Sequence, residues 1–131
     1  MTVLDTHAWV WWVSESDAIP KRLTKRLHDE GAQGRLFVSS ISTWEVALLV
    51  KSGRLRLTMD VAEWIAKTEA LPAVQFVPVD NNIALKSVTL PGTFHNDPAD
   101  RMIVATAMVL GATLVTKDEK IRRYKHISSV W

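Results

Sequence analysis

Four carboxylates in this sequence occupy positions from which they could act together. Each one lies where a short apolar run gives way to a loop or to the first turn of a helix; the four are Asp5, Glu45, Asp100 and Asp118. In an open α/β sheet, the carboxyl ends of the strands meet the starts of the following helices at one edge, where ligands bind. Four acids gathered at that edge would repel one another unless a cation lay between them. Oxygen ligands favour hard ions such as Mg²⁺ or Mn²⁺, and a phosphodiester is the natural substrate of such an ion.

Three of the four acids also have an ordinary structural explanation. Ser42-Thr-Trp-Glu45 matches the Ser-x-x-Glu capping box, in which the glutamate bonds back to the helix start. Asp100 would be the third residue of a helix capped by Asp97, where an acid interacts well with the helix dipole. Asp118 could simply cap the last helix. Asp5 is the exception, because a carboxylate that ends a buried strand is costly without a partner. The coincidence of all four at one edge favours a shared site.

Polar neighbours of these acids could support them. Thr6 and Thr116 lie beside two of the acids, and their hydroxyls could bond a carboxylate or a water on the cation, although threonine is also common in strands. None of the histidines shows the spacing of a zinc site; they are His7, His28, His95 and His126. His7 and His95 fall near the predicted site, where we expect structural hydrogen bonds.

Length and composition predict one folded domain, residues 1–131. The chain has 131 residues, 47% of them hydrophobic, which is enough for a single layered core. It has no cysteine, which excludes thiolate metal sites and disulfides and fits a reducing cytoplasm. Met1 leads directly into a strand-like run, so we expect no signal peptide, and the apolar runs are too short to span a membrane.

The net charge is only +2, but the basic residues are unevenly placed. One group follows a predicted helix and the other crowds the C-terminal segment; they comprise Lys51, Arg54 and Arg56, and Lys117, Lys120, Arg122, Arg123 and Lys125. The ordinary interpretation is a solvated surface. The alternative is a basic rim that attracts a polyanion towards the acidic centre.

Strand-like runs alternate with helical patterns along the chain. The predicted strands are 2–4, 36–39, 75–79 and 113–116, with a possible edge strand at 127–130. The predicted helices are 6–13, 17–30, 42–52, 60–71, 81–89, 99–110 and 118–124. This alternation predicts a three-layer α/β domain, with a central parallel sheet of four to five strands and helices on both faces.

The six tryptophans are predicted to serve packing or protein interfaces more than base stacking, because they lie among valine and alanine. Trp9, Trp12 and Trp44 are predicted core residues. Trp11 points away from the Trp9/Trp12 face at helical spacing, so we expect it to be exposed. The helices at 6–13 and 42–52 carry more apolar side chains than one core needs, which predicts an interface.

The segments around the four acids resemble the acidic motifs of PIN-domain ribonucleases, in the same order. These segments are 3–12 (VLDTHAWVWW), 38–47 (VSSISTWEVA), 95–107 (HNDPADRMIVATA) and 114–121 (LVTKDEKI). The resemblance spans nearly the whole chain. It is strongest to the stand-alone PIN proteins that act as VapC-type toxins in toxin–antitoxin pairs.

This resemblance implies a PIN fold and RNA cleavage that depends on Mg²⁺ or Mn²⁺. It assigns the catalytic and metal-binding roles to Asp5, Glu45, Asp100 and Asp118, with Glu119 as a substitute because many relatives lack an aspartate at the fourth position. The cations would polarise the scissile phosphate and lower the pKa of a bound water. The resemblance also implies a homodimer, a larger toxin–antitoxin assembly, and neutralisation by a small VapB-type antitoxin whose tail enters the acidic groove.

Other functions remain open from the residues alone. A phosphotransfer receiver also has acids at a sheet edge, but it needs paired acids after the first strand and a phospho-acceptor after the third, and Asp80 matches that position poorly. A haloacid-dehalogenase-type phosphatase needs an aspartate two residues after its nucleophile, where this chain has His7. The remaining alternative is a catalytically weak PIN-like module that binds RNA or protein.

Overall fold

A five-stranded parallel sheet forms the centre of the protein in a computed structural model that describes residues 1–131. The strands are β1 (Thr2–Leu4), β2 (Leu36–Ser39), β3 (Gln75–Val77), β4 (Thr113–Val115) and β5 (Ser129–Val130). Their order is β3-β2-β1-β4-β5, and every neighbouring pair is parallel. The predicted sheet, including its edge strand β5, is therefore confirmed. β3 ends two residues earlier than predicted, before Pro78, which has no backbone N–H to donate to a ladder.

Seven helices connect and cover these strands. They are α1 (Thr6–Val13), α2 (Lys21–Ala32), α3 (Ser40–Lys51), α4 (Val61–Glu69), α5 (Asn81–Val88), α6 (Pro98–Leu110) and α7 (Glu119–Arg122). α2 begins four residues later than predicted, because Pro20 takes the N-cap position with extended ψ. α3 begins two residues earlier than predicted. No helix is both long and apolar enough to cross a bilayer.

Two apolar cores lie on opposite faces of the sheet. Val3 and Leu114 belong to the core beneath α5, α6 and α7, whereas Leu4 and Val115 belong to the core beneath α1 to α4. Successive strand residues point to opposite faces, so these two strands supply both cores at once. All three residues of β1 are buried, as expected of a central parallel strand. The protein thus has the predicted three layers.

The topology creates a crevice at the carboxyl ends of β1 and β4. From β1, the chain continues outward to β2 and β3 on one side and later to β4 and β5 on the other. The helices that follow β1 and β4 therefore depart to opposite faces of the sheet and leave a gap between them. Such a switch point is the usual ligand site of an open parallel sheet. Asp5 lies there, one residue beyond the end of β1.

Candidate active site

The structure brings all four predicted acids to one cleft at this switch point. The cleft has a volume of about 600 Å³ and is lined by Asp5, Thr6, His7, Trp11, Glu45, Asp97, Asp100, Ile103, Lys117 and Asp118. We call it the acidic cleft. Five of its ten lining residues are acids and one, Lys117, is a lysine, so the cleft carries a concentrated negative charge.

Asp5 is the buried acid of the acidic cleft. One carboxylate oxygen accepts the backbone N–H of Ala8 at 2.8 Å, which makes Asp5 the N-cap of α1. The other oxygen accepts the Thr116 hydroxyl at 2.5 Å. Burial raises the pKa of Asp5, and the bonds from Thr116 and Ala8 only partly oppose this rise. Two hydrogen bonds thus give this carboxylate the partners that a buried acid needs. Its charged form nevertheless remains less favourable than it would be in water.

The two predicted supporting threonines both bond acids of the cleft. While Thr116 donates to Asp5, its hydroxyl oxygen accepts the backbone N–H of Asp118 at 3.1 Å, which joins two of the acidic positions. Thr6 donates to the Glu45 carboxylate and lies 2.9 Å from the Ser42 hydroxyl. Since an ionised glutamate only accepts, the Ser42 hydroxyl donates to Thr6.

The capping-box interpretation of Glu45 is wrong. α3 begins at Ser40, and the side chain of Ser39 caps it by accepting the backbone N–H of Ile41 at 3.2 Å. Glu45 therefore lies in the second turn, too far along the helix to bond its start. Its carboxylate instead meets Thr6 on α1, across the cleft. Ser39 is both the last residue of β2 and the helix cap, so the strand leads into the helix without a loop.

Asp100 has a pKa well above the usual range of an aspartate. It lies in the first turn of α6, where Asp97 is the N-cap and accepts the backbone N–H of Asp100 at 3.1 Å, as predicted. The pKa of Asp100 is raised to about 7, first by burial and then by the charges of four other carboxylates, namely Asp97, Asp118, Glu45 and Asp5. Burial and the repulsion between the acids of the cleft together favour a proton on Asp100 near neutral pH.

His95 stands beside Asp100 at the rim. Its Nε2 lies 3.1 Å from a carboxylate oxygen of Asp100, but the ring N–H is not directed at that oxygen and makes no hydrogen bond. Its Nδ1 accepts the backbone N–H of Asp97 at 3.4 Å. The structural hydrogen bond expected of His95 is present, whereas His7 faces the cleft and packs against Trp11 with ring centres 5.7 Å apart.

Asp97 is a fifth acid that the sequence identified only as a helix cap. One of its oxygens does cap α6, but its side chain also lines the acidic cleft. The usable signal was its spacing, because an N-cap residue and the third helical residue lie on the same side of the first turn. Its charge is the second cause, after burial, of the raised pKa of Asp100.

Asp118 both caps a helix and lines the acidic cleft. One carboxylate oxygen caps α7 by accepting the backbone N–H groups of Lys120 at 2.8 Å and Ile121 at 3.2 Å. The residue nevertheless lines the acidic cleft. Glu119, considered as a substitute, does not line it and instead lies 3.9 Å from Arg122 on the surface.

The donor set fits a hard divalent cation, although the side chains do not form a closed coordination shell. No group of three or more His, Asp or Glu residues is arranged to hold one ion as the side chains stand. The donors offered by the cleft are carboxylate oxygens, which are the ligands that Mg²⁺ and Mn²⁺ prefer. A cation among them would also relieve the repulsion that raises the pKa of Asp100.

The tryptophans depart from the predictions at two positions. Trp9 is buried and Trp12 is half-buried in the same core, as expected. Trp44 was predicted to be core but is 51% exposed, because α3 buries Ser42 and Val46 instead. Trp11 was predicted to be exposed but is half-buried against Trp131, with ring centres 5.6 Å apart. The sequence pattern of α1 alone could not show that the C-terminus folds back over it.

Acids at the switch point of a five-stranded parallel sheet characterise a known class of protein. The chain matches the PIN domain family over residues 2–127. This chain belongs to the PIN domain family, as its four sequence motifs indicated. It is 33% identical over 124 residues to Ribonuclease VapC22 of Mycobacterium tuberculosis, with 95% of this chain and 92% of that protein aligned.

Solved structures show the same fold. FitAcB from Neisseria gonorrhoeae superposes with a TM-score of 0.70 at 19% identity, covering 100% of this chain and 97% of that chain. VapBC2 from Rickettsia felis, bound to a DNA fragment from its promoter, superposes with a TM-score of 0.69 at 16% identity, covering 98% and 96%. At such identities the likeness concerns the fold, and it confirms the predicted PIN-like architecture.

Proposed function

We propose that this protein is a metal-dependent endoribonuclease that acts as the toxin of a toxin–antitoxin pair. The observation that carries the proposal is the gathering of the four acids of the family's motifs in one cleft, where burial and the charges of neighbouring carboxylates raise the pKa of Asp100 to about 7. The similarity to a ribonuclease over 95% of the chain supports RNA as the substrate. The proposed site of action is the cytoplasm.

In this proposal, Asp5 and Asp100 are the principal metal ligands, and Glu45 and Asp118 complete the site. A bound Mg²⁺ or Mn²⁺ ion supplies positive charge to the scissile phosphate and activates water. Thr116 holds the Asp5 carboxylate in place through its 2.5 Å hydrogen bond. Thr6 does the same for Glu45. Both threonines are thus positioning residues.

Hydrolysis by water is favoured over a covalent enzyme intermediate. The chain contains no cysteine. The hydroxyls of Thr6 and Thr116 face the acids but already donate their protons to Glu45 and Asp5. Lys117 approaches the Trp11 ring at 5.9 Å and provides a positive charge at the edge of the cleft. The cleft therefore binds and orients, and the attacking group is water.

The proposed antitoxin binds in an apolar groove next to the acidic cleft. This groove has a volume of about 870 Å³, and its apolar lining includes Trp12, Ile19, Pro20 and Leu71. Trp11 lines both the groove and the acidic cleft, so it forms the wall between them. An antitoxin segment in the groove could pass Trp11 and place a basic side chain among the acids, where it would replace the cation.

A homodimer is proposed from apolar side chains on two other helices. Leu85 and Val88 on α5 are 67% and 75% exposed, and Trp44 and Leu48 on α3 are 51% and 43% exposed. Both helices pack against α6. Exposed apolar side chains of this size usually mark a protein interface.

The proposed function is tested by RNA cleavage with purified protein. We expect cleavage with Mg²⁺ or Mn²⁺, loss of cleavage in excess chelator, and weak support by Ca²⁺, whose longer bonds and looser geometry make it a poorer activator of water. Asp5→Asn is the inactive control. Full cleavage in excess chelator would overturn the metal requirement. RNA binding without cleavage under any metal condition would favour the alternative, a catalytically weak RNA-binding module.

A further inference from the structure

A third cavity, rich in cations, adjoins the acidic cleft. It has a volume of about 530 Å³, and its lining includes His95, Lys120, Arg123, Tyr124, Lys125 and His126. We call it the basic pocket. No acid lines it. Three positively charged side chains and two histidines around one cavity favour the binding of an anion. The aromatic rings in its lining, Phe94 and Tyr124, suit a nucleotide more than an inorganic ion.

His95 connects the two cavities. The histidine lines the basic pocket, while its Nε2 lies 3.1 Å from a carboxylate oxygen of Asp100 in the acidic cleft. The pocket and the cleft are therefore neighbours, separated by the two side chains of His95 and Asp100. A polymer with one phosphate at the acids would place a neighbouring phosphate at the cations of the pocket.

The aromatic side chains of the pocket are fixed by hydrogen bonds and ring contacts. The Tyr124 hydroxyl donates to the carbonyl of Pro91 at 2.5 Å, and the Tyr124 ring meets Phe94 edge-on with ring centres 5.0 Å apart. Arg101 donates to the carbonyls of Phe94 at 2.9 Å and His95 at 3.1 Å, which fixes the loop before α6. The pocket is thus built before any ligand arrives.

Gly92 lies close to the ring of His126. Gly92 has φ +67°, and a Cβ at that position would lie 2.9 Å from Nε2 of His126. The ring of His126 also packs against Tyr124, with centres 5.2 Å apart, while the residue remains exposed on its outer side. An exposed ring that packs on another aromatic ring can stack on an RNA base whatever the identity of that base.

We infer that the basic pocket binds the backbone phosphates of the RNA nucleotides that flank the scissile bond, an inference that rests on the proposed ribonuclease function. Lys120, Arg123 and Lys125 supply sequence-independent phosphate contacts, which position the strand. Neighbouring Arg122 faces Glu119 and is not part of the pocket. The acidic cleft acts on one phosphate, and the basic pocket offsets the repulsion between its acids and the rest of the strand.

The first test measures catalysis by Arg123→Gln/Lys125→Gln on short single-stranded RNA that the wild-type protein cleaves. Both residues are exposed, so folding is preserved. Because neither touches the reacting phosphate, KM should rise about three- to twentyfold while kcat stays unchanged. Lys25→Gln/Arg26→Gln is the charge-matched control, since this pair lies on α2 and lines neither cavity; it should keep the wild-type KM.

The second test measures binding of a labelled mixed-sequence single-stranded RNA in the inactive Asp5→Asn background. Removing two phosphate contacts should reduce the slope of log affinity against log salt by roughly 1.4. The α2 control pair should retain the slope. If the wild-type protein cleaves RNA but the pocket variants keep the wild-type KM and salt slope, this inference alone is wrong. That conclusion holds even if the antitoxin no longer neutralises those variants. A wild-type protein that cleaves no RNA overturns the proposed function.

Discussion

At the scale of single residues, Asp5 caps a helix and, in the proposed function, is also a metal ligand. One oxygen caps α1 through Ala8, and the other receives the Thr116 hydroxyl inside the protein. Burial raises its pKa, so the charged form is held at a cost in stability. The two tasks can be separated by the choice of substitution, because asparagine can cap a helix and alanine cannot.

Asp5→Asn should abolish RNA cleavage and leave the free energy of unfolding within about 1 kcal/mol of wild type, because the cap survives and the costly charge is gone. Asp5→Ala should be about 1 kcal/mol less stable than Asp5→Asn, since α1 then loses its cap. Urea unfolding and RNA cleavage assays measure the two effects. A loss of several kcal/mol in Asp5→Asn would mean that the carboxylate is structural.

Asp100 makes the stability of the metal-free protein depend on pH. Its pKa is raised to about 7 in the folded state, so this group favours folding at low pH. Because the folded state binds more protons than the unfolded state, the contribution of Asp100 to stability is lost as the pH rises from about 4 through about 7. Asp5, whose pKa is also raised, contributes with the same sign.

The melting temperature in chelator should therefore fall between pH 5 and pH 8, and Asp100→Asn should reduce that fall. Mg²⁺ should restore stability at pH 8, since the ionised cleft binds it. Glu69→Gln, a change at an exposed acid of α4, is the control and should keep the wild-type pH dependence. A melting temperature that rises from pH 5 to pH 8 in chelator would contradict the raised pKa.

At the scale of secondary structure, the start of α3 decides where Glu45 points. Because Ser39 both ends β2 and caps α3, the helix begins directly at the sheet edge and carries Glu45 towards α1. A start at Ser42, as the capping-box motif indicated, would have directed the same carboxylate back to the helix terminus. The position of one of the four acids of the cleft thus follows from a cap six residues earlier.

Ser39→Ala should lower the free energy of unfolding by about 1 kcal/mol, because it removes the side chain that accepts the Ile41 N–H. Ser40→Ala is the matched control: its hydroxyl makes no hydrogen bond that caps α3, so its effect should stay within about 0.5 kcal/mol. Denaturant unfolding of both variants measures the difference. Equal stability of the two would mean that the helix begins elsewhere.

At the scale of the whole molecule, the proposed antitoxin and the proposed second copy of the chain are assigned to two different apolar surfaces. Leu71 lines the apolar groove beside the acidic cleft, while Leu85 and Val88 project from α5. Trp11 packs against Trp131, so a charge introduced at Trp11 would disturb folding as well as any interface.

Leu71→Glu should weaken antitoxin binding and leave the dimer intact. Leu85→Glu/Val88→Glu should produce monomers that the antitoxin still binds. Sedimentation measures the oligomeric state and titration with antitoxin measures the affinity. If the α5 variant remains dimeric, or if Leu71→Glu is neutralised at wild-type affinity, the corresponding surface has been wrongly assigned.

The sequence alone was sufficient for the layers of the fold and for the four acids of its motifs. The period of the apolar residues identifies buried strands and amphipathic helices, and the positions after those strands identify the acids, because both are local properties of the chain. The caps of α6 and α7 were predictable for the same reason: Asp97 and Asp118 bond backbone groups within three residues.

Only the tertiary structure decided which side chains meet across the chain. It moved Glu45 from a cap to the cleft, added Asp97 to the acids, half-buried Trp11 against Trp131 and exposed Trp44. It also separated Arg123, which lines the basic pocket, from its neighbour Arg122, which does not. Such contacts join residues far apart in sequence or depend on a helix rotation of a few tens of degrees, and neither is encoded in a local pattern.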